Sequence, residues 1–251
     1  MNRTTRTLTG ILAVAILVSA FPFTAMAQTD ETPTTRVAQV SEEDATRRLE
    51  SAKKAVLEAI DKRLNALARL TARVDSAGYV TDEHAATLLD EYAAAEAILR
   101  AGIENVTNAT GYEELRRTSP AIFEQTLVFA LLGPKTHAVI GSDTVVGVAP
   151  RFDEYGAKLQ GALDHLSDAG ADTTAAQADL DEAVRLVSSA VTTAGPVAES
   201  VIVLQPGDEI REPLAAAKDN LEESRRRLDD AREMMIDVSE FVLDSIGDGT
   251  L

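Results

Sequence analysis

The sequence predicts an all-α fold, a helical bundle built from two αα-hairpins and a long carboxyl-terminal helix. Apolar residues recur at every third or fourth position along long stretches of the chain, which is the period of an amphipathic helix. Short glycine-containing sequences separate these stretches and predict turns. No cysteine occurs among the 251 residues, so packing rather than disulfide bonds must hold the fold.

The first predicted hairpin covers residues 41–104. Ser41 and Asp44 have the spacing of a capping box, and apolar residues then follow the helical period. Gly78 fits the left-handed position that ends a helix, and Thr81 can cap the helix that follows. We therefore expect two antiparallel helices joined by a short turn.

The second predicted hairpin covers residues 152–194, and its turn sequence resembles that of the first. Residues 169–173 align with residues 77–81 at an offset of 92 positions, and several apolar positions on either side match as well. This repeat predicts a duplicated hairpin. Two unrelated hairpins with glycine turns are the alternative.

A third long helix is predicted to begin near Glu212, with Pro213 in its first turn. Its apolar residues keep a heptad pattern typical of a coiled coil. The seam consists of Leu214, Ala217, Leu221, Ser224, Leu228, Ala231, Met235, Val238 and Val242. We expect the bundle to cover this seam. If the bundle leaves part of it open, Leu214, Leu221, Leu228, Met235 and Val238 form the candidate interaction face.

The middle of the chain is predicted to hold a short irregular or β segment. Ser119 and Pro120 favour the start of an apolar helix, which Gly133 and Pro134 would stop. The stretch 139–148 is rich in β-branched residues and glycine, so strand, helix and loop all remain open for it. The same three alternatives hold for residues 201–204.

The amino-terminal segment predicts export from the cytoplasm. Arg3 and Arg6 precede an apolar run at residues 11–21, and Ala25-Met26-Ala27 has the form of a cleavage site. The run is shorter than the roughly 20 residues that span a bilayer. Residues 1–27 are therefore interpreted as a signal peptide, and the protein as secreted or located at the cell surface.

The residues that follow the signal peptide divide into two parts. Residues 28–40 are rich in threonine and have no apolar period, which predicts a disordered lead-in. Residues 41–251 are long enough to form a single helical-bundle domain. No later stretch is apolar enough to predict a membrane span.

Charge and composition restrict the partners. The chain carries 41 acidic and 24 basic residues, a net charge of −17, and loss of residues 1–27 would make this −19 because two arginines leave with them. This balance argues against nucleic acid and anionic lipid as partners. Only six of the basic residues are lysine, and the composition resembles that of proteins from extremely halophilic archaea. An ordinary acidic secreted protein is the alternative.

The sequence contains no recognisable catalytic constellation. Its three histidines are scattered, and no metalloprotease motif, serine elbow or phosphate-binding glycine loop occurs. We therefore predict no catalytic residue, no metal site and no cofactor. An enzyme based on carboxylates is the alternative, and it would require acids or histidines that are buried and close together.

Two consecutive sequons begin at Asn105 and Asn108, in the expected break after the second helix. Both asparagines are candidate glycosylation sites, because the surrounding polar residues predict exposed backbone.

These observations predict a non-enzymatic binding or structural protein that interacts with another cell-surface protein. The alternative is an extracytoplasmic module that binds a small molecule or a cation. Its pocket would lie under Phe123, Phe129 and Tyr155.

Overall fold

The helices of the protein account for nearly all of the chain that the structure describes. This computed structural model describes the backbone of residues 34–247 and the side chains of residues 42–247. Within that range it contains α-helices, one π-helical segment and no strand, so the predicted all-α bundle is confirmed. The predicted signal peptide, residues 1–27, lies outside the described residues. The helices are α1 (Thr34–Asp75), α2 (Asp82–Asn108), α3 (Tyr112–Thr126), α4 (Gly133–Asp168), α5 (Thr174–Ile202) and α6 (Arg211–Gly247), and the π-helical segment Val128–Leu132 joins α3 to α4.

Helix α1 begins earlier than the sequence pattern predicted. It starts at Thr34, so Ser41 lies inside the helix and is not its cap. The predicted lead-in is therefore helical over residues 34–40. No glycine or proline follows Pro33 in this stretch, so nothing in it stops a helix from extending. The unit Asp44–Leu251 is compact and holds the described hydrophobic core.

The turn between α1 and α2 confirms one predicted cap and corrects another. The Thr81 hydroxyl accepts a hydrogen bond from the backbone N–H of His84 at 3.2 Å, as expected of an N-cap. Gly78 is not in the left-handed region, because the glycines with positive φ in the described chain are Gly170 and Gly207. Helix α1 instead ends in ordinary hydrogen-bonded turns.

The turn between α4 and α5 has a different construction. Gly170 has φ +91°, the Ala171 N–H bonds to the Leu166 carbonyl at 3.0 Å, and the Gly170 N–H bonds to the Ser167 carbonyl at 2.9 Å. This is a Schellman motif, in which glycine is favoured because its φ is positive. The two turns that align in sequence thus differ in conformation. Duplication of the hairpin stays a prediction.

The segment between α2 and α4 folds differently from the prediction. Helix α3 begins at Tyr112, and Pro120 lies inside it on the exposed side. Gly133 and Pro134 begin α4 and do not stop a helix. Proline is tolerated there because the first turn of a helix needs no N–H donor at that position. The direction of the chain changes at Leu127, which has φ 36° and ψ 36°.

Residues 139–148 belong to the continuous helix α4, so the irregular or β alternative for the middle of the chain is not observed. Their glycines are sites of close approach. A β-carbon on Gly147 would lie 2.9 Å from Cγ of Tyr79, and one on Gly141 would lie 3.0 Å from a methyl group of Leu221. Packing of this stretch inside the bundle therefore overrides its β propensity. Residues 201–204 end α5 and begin the loop after it.

Helix α4 is also joined to α5 by a buried serine. The Ser142 hydroxyl donates to the Ala194 carbonyl at 2.8 Å and accepts from the Ala198 N–H at 3.3 Å. It therefore bridges two groups that an uninterrupted helix would join directly. Pro196 lies between them in α5.

The seam of α6 lies in the core. Helix α6 packs against α5 and α4, and α5 also packs against α4. Leu221, Leu228, Met235 and Val238 are all buried, and Leu214 is partly buried against the core. No helix in the described part of the chain is both long enough and apolar enough to cross a membrane.

Candidate functional site

The predicted interaction face on α6 is covered by the protein itself. Met235 and Val238 are only 2% and 1% exposed, and Leu221 is 5% exposed. A partner could reach these side chains only by displacing α4 or α5. The bundle requires this cover because an uncovered leucine seam would leave the apolar stripes of three helices in water.

The two sequon asparagines lie on the surface. Asn108 is the last residue of α2 and Asn105 lies inside its last turn, so the helix continues beyond the predicted break. Both are exposed. The hydroxyl of Thr107, in the first sequon, donates to the Ile103 carbonyl at 2.7 Å.

The three aromatic residues predicted to cover one pocket are not brought together. Phe123 and Phe129 both lie near the Arg63 guanidinium, with their ring centroids 4.0 and 5.3 Å from its central carbon. Tyr155 lines a separate groove with Arg232 on α6. Along α4, Tyr155 is about 30 Å from the helix start that adjoins Phe129.

A groove lined by cationic side chains is the most distinctive surface of the described chain. It lies between α1 on one side and the π-helical segment with the start of α4 on the other. Its two adjoining parts have volumes of about 670 and 420 Å³ and share Arg69 and Phe129. We define the basic groove by Lys62, Arg69, Arg73, Phe129 and His137.

The cations of the basic groove lack acidic partners. Lys62, Arg69 and Arg73 form no ion pair with any residue that the structure describes. Several of the other described cations pair with acids on their own helix, as Lys158 does with Glu154 at 2.7 Å. Unpaired cations gathered in one groove are unexpected in a chain with a net charge of −17.

His137 experiences the same positive field. Its pKa is lowered from the ordinary value by desolvation and by the nearby charges of Arg73 and Arg225, against a hydrogen bond with the Gly133 backbone that raises it. The charged groups acting on the imidazole are thus both cations. His137 remains exposed and is neutral near neutral pH.

The aromatic wall of the groove, Phe129, contacts a neighbouring arginine. Phe129 is 56% exposed, and its ring lies next to the Arg63 guanidinium, which also donates to the Ala59 carbonyl at 3.0 Å. Phe129 belongs to the π-helical segment. This segment begins directly after Leu127, which has a left-handed backbone conformation. Short π-helical segments and left-handed residues other than glycine are rare, and both cluster at functional sites.

A second polar cluster lies between α2, α4 and α5, where His84 and Asp143 are buried and Glu199 is exposed. Nδ1 of His84 lies 2.8 Å from Oδ2 of Asp143, and Nε2 lies 3.3 Å from Oε1 of Glu199. The same Asp143 oxygen accepts the Thr81 N–H at 3.1 Å. Desolvation alone would lower the pKa of His84, but the hydrogen bonds and charges of the two carboxylates outweigh it and raise the pKa.

This cluster meets the condition set for an enzyme, since a histidine and an acid are buried and adjacent. Its geometry nevertheless favours a structural role. Both imidazole nitrogens of His84 face carboxylates, and no hydroxyl group contacts the ring among the described residues. A nucleophile that His84 could activate is therefore missing from its contacts.

Lys135 is fully buried, and each of its hydrogen-bond partners is an acceptor. Its ammonium donates to both oxygens of Glu91 at 2.7 and 2.8 Å and to the carbonyls of Ile202 and Leu204 at 3.0 and 2.6 Å. These carbonyls lie at the end of α5, where the helix itself offers no donor. Lys135 thus stabilises the carboxyl end of α5.

Sequence reasoning missed both the basic groove and the buried polar cluster. A signal for the buried polar groups was available, because Asp143 of the cluster and the separately buried Lys135 are single charges within an otherwise apolar stretch. A signal for the groove was the pair Arg69 and Arg73, since like charges at i,i+4 on a helix repel unless something compensates them.

The basic groove has no counterpart in a known relative of this chain. Comparison of the chain with models of protein families, with curated proteins and with solved structures found no match.

Proposed function

We propose that the protein is an extracytoplasmic, non-enzymatic binding protein from a high-salt environment, and that its ligand is an anion bound in the basic groove. One observation carries the proposal. Lys62, Arg69 and Arg73 have no acidic partner among the described residues, and all three line the same groove of a strongly acidic protein. An anionic ligand would supply the missing charge.

The location outside the cytoplasm is supported by the amino-terminal sequence. Arg3, Arg6, the apolar run and Ala25-Met26-Ala27 together have the pattern of a cleaved signal peptide. We expect mass spectrometry of protein recovered from producing cells to find Gln28 as the first residue. Recovery of the chain with residues 1–27 still attached would contradict cleavage.

We assign no enzymatic activity to the protein. The contacts of the buried polar cluster and of Lys135 support this proposal. His84 lies between two carboxylates, and Lys135 donates to four acceptor atoms. Both imidazole nitrogens of His84 and the ammonium of Lys135 are thus engaged in hydrogen bonds within the fold.

Anion binding can be tested by nuclear magnetic resonance with inorganic phosphate as the probe. We expect backbone amide signals of residues 128–133, 135–137 and 66–73 to shift as phosphate is added at constant potassium chloride concentration. The double variant Arg69→Gln/Arg73→Gln should bind about ten- to a hundredfold more weakly, because two charge-assisted hydrogen bonds are lost.

Arg211→Gln is the matched control for this experiment. Arg211 forms no ion pair with any residue in the described part of the chain, and it begins α6, about 20 Å along that helix from Arg225. This variant should retain phosphate binding. Equal weakening by Arg211→Gln, or no shift in the groove of the unaltered protein, would contradict the proposal.

Binding to another cell-surface protein is the second candidate function. Its support is an apolar tip on α6, where Leu243 is 65% exposed and Ile246 is 50% exposed. If this tip binds a surface partner, Leu243→Ser/Ile246→Ser should release the protein from the cell envelope into the medium. An unchanged distribution between envelope and medium would exclude the tip as the contact.

A further inference from the structure

We propose that the ligand of the basic groove is an organic oxyanion, whose charged group is bound by Arg69, Arg73 and His137 and whose apolar or aromatic part packs on Phe129. The inference rests on the proposed function and specifies the chemical class of the ligand.

The apolar half of the ligand is inferred from Phe129. A phenylalanine that is 56% exposed leaves apolar surface in water, which is unfavourable unless a partner covers it. The Arg63 guanidinium lies 4.0 Å from the ring centroid of Phe123 and 5.3 Å from that of Phe129, and this cation–π contact favours the observed position of the Phe129 ring beside the groove. An inorganic anion would gain little from this arrangement.

The walls beside Phe129 are also largely apolar. The smaller part of the groove includes Leu70 on α1, Val128 in the π-helical segment and Pro134 at the start of α4. Its volume of about 420 Å³ falls within the roughly 300–1,000 Å³ typical of small-molecule sites. A ligand with a single ring and one charged group therefore suits the groove.

The charged half is inferred from the two helices that face each other across the groove. Arg69 and Arg73 are one helical turn apart on α1, so their side chains lie on the same face. His137 is contributed by α4. An oxyanion placed between the helices could accept hydrogen bonds from both guanidinium groups and from the imidazole.

Binding of an anion should also bring a proton to His137. Arg73 on α1 and Arg225 on α6 face the imidazole, Arg69 lines the same wall, and the π-helical segment contributes only apolar side chains. This positive field disfavours the imidazolium. A bound anion offsets the field, so the imidazole gains a proton as the ligand binds.

Methanesulfonate and benzenesulfonate form a matched pair of probes, because each carries one negative charge and neither titrates near neutral pH. Isothermal titration calorimetry of the full chain at constant salt should show benzenesulfonate binding about three- to tenfold more tightly. Phe129→Ala should weaken benzenesulfonate binding more than methanesulfonate binding and so remove this preference. Phe129→Leu keeps an apolar side chain and should retain part of the preference, provided that circular dichroism shows an intact fold.

Proton uptake is measured by repeating the titration near neutral pH in buffers with different ionisation enthalpies. The unaltered protein should take up a fraction of a proton per benzenesulfonate bound. His137→Gln, which keeps a hydrogen-bond donor, should still bind but take up none. A variant with a merely structural defect would weaken binding without abolishing the proton uptake.

The outcomes separate this inference from the proposed function. Equal affinity for the two sulfonates, or proton uptake that persists in His137→Gln, would overturn the inference while leaving anion binding in place. If neither sulfonate binds and phosphate also leaves the groove signals unmoved, the proposed function fails as well. Tighter binding of uncharged benzyl alcohol than of benzenesulfonate would overturn both.

Discussion

His84 and His137 lie in different surroundings within the same bundle, and folding favours a different protonation state at each. His84 contacts two carboxylates, and its pKa is raised, whereas His137 lies near two arginines, and its pKa is lowered. Folding therefore stabilises the imidazolium at the first site and the neutral ring at the second. The two residues contribute to the pH dependence of stability with opposite signs.

We predict that His84→Gln changes the pH dependence of unfolding. In the unaltered protein, the stabilisation from His84 is fully present below its unfolded pKa of about 6.5 and is lost as the pH rises through the higher folded pKa. The variant should lose this decline and also about 1–3 kcal/mol of stability, because Asp143 loses its charged partner and keeps only the hydrogen bond from the Thr81 N–H.

Chemical denaturation from mildly acidic to mildly alkaline pH measures this effect. His137→Gln is the comparison, since its histidine destabilises the fold as the pH falls through the unfolded pKa. Identical pH profiles for the unaltered protein and His84→Gln would mean that the contact with Asp143 and Glu199 does not favour the imidazolium.

Among the elements, α4 contains glycines of two kinds, and they predict opposite effects of the same substitution. A β-carbon at Gly147 would lie 2.9 and 3.0 Å from Cγ and Cβ of Tyr79, whereas one at Gly161 would meet nothing within 4 Å. Gly147→Ala should destabilise the protein by about 1–3 kcal/mol through overpacking. Gly161→Ala should stabilise it by about 0.5–1 kcal/mol through helix propensity.

Thermal melts of these two variants test whether α4 is helical through its whole length. The sequence pattern did not predict the first half of α4 as a helix, so comparing the two melting temperatures is informative. If both substitutions stabilised the protein, Tyr79 would not pack closely against Gly147, and the position of the α1–α2 turn on α4 would be incorrect.

The seam of α6 gives a second prediction at the level of elements. Leu221 and Leu228 are 5% and 9% exposed. Replacing either by alanine should cost about 2–5 kcal/mol through lost burial and a residual cavity. Leu243→Ala is the control, since that leucine is 65% exposed. Unchanged melting temperatures for both core variants would contradict packing of the seam inside the bundle.

The sequence predicted best those helices that have one solvent-exposed side and one buried side. Four of the five long helices, α1, α2, α5 and α6, have an apolar side and a polar side, so their period is visible. The first part of α4 is surrounded by other helices, and residues such as Val139 and Val145 are buried with no polar face to reveal a period. Its β-branched residues and glycines then suggest a strand, although they serve close helix packing.

The basic groove was not predictable from a single stretch of sequence, because its two walls are far apart in the chain. Arg69 and Arg73 precede His137 by more than sixty positions. The turn at Leu127 and the π-helical segment lie between these residues in the chain and place Val128 and Phe129 in the groove beside them. Neither feature has a sequence signature, since leucine disfavours the left-handed region that Leu127 adopts.

At the scale of the whole molecule, the net charge of −17 predicts that folding depends on salt. The described ion pairs are mostly between neighbours on one helix, such as Arg100 with Glu96 and Lys218 with Glu222, and they leave the acidic excess uncompensated. At low ionic strength the helices therefore repel one another. At molar salt the screening length is only about 3 Å, and this repulsion is largely removed.

We expect helical circular dichroism and the melting temperature to increase from millimolar to molar potassium chloride. Sodium chloride at equal ionic strength is the control for a specific effect of potassium. Equal thermal stability at both ends of the range would contradict adaptation to high salt, and the protein would then be an ordinary acidic one.

The bridge made by Ser142 also affects how the bundle opens. Because the Ala198 N–H donates to a side chain of α4, its protection from hydrogen exchange depends on docking of α4 and not only on the helical state of α5. Amides further along α5 can stay protected while the helices separate. A single amide near Pro196 therefore distinguishes separation of the two helices from melting of either one.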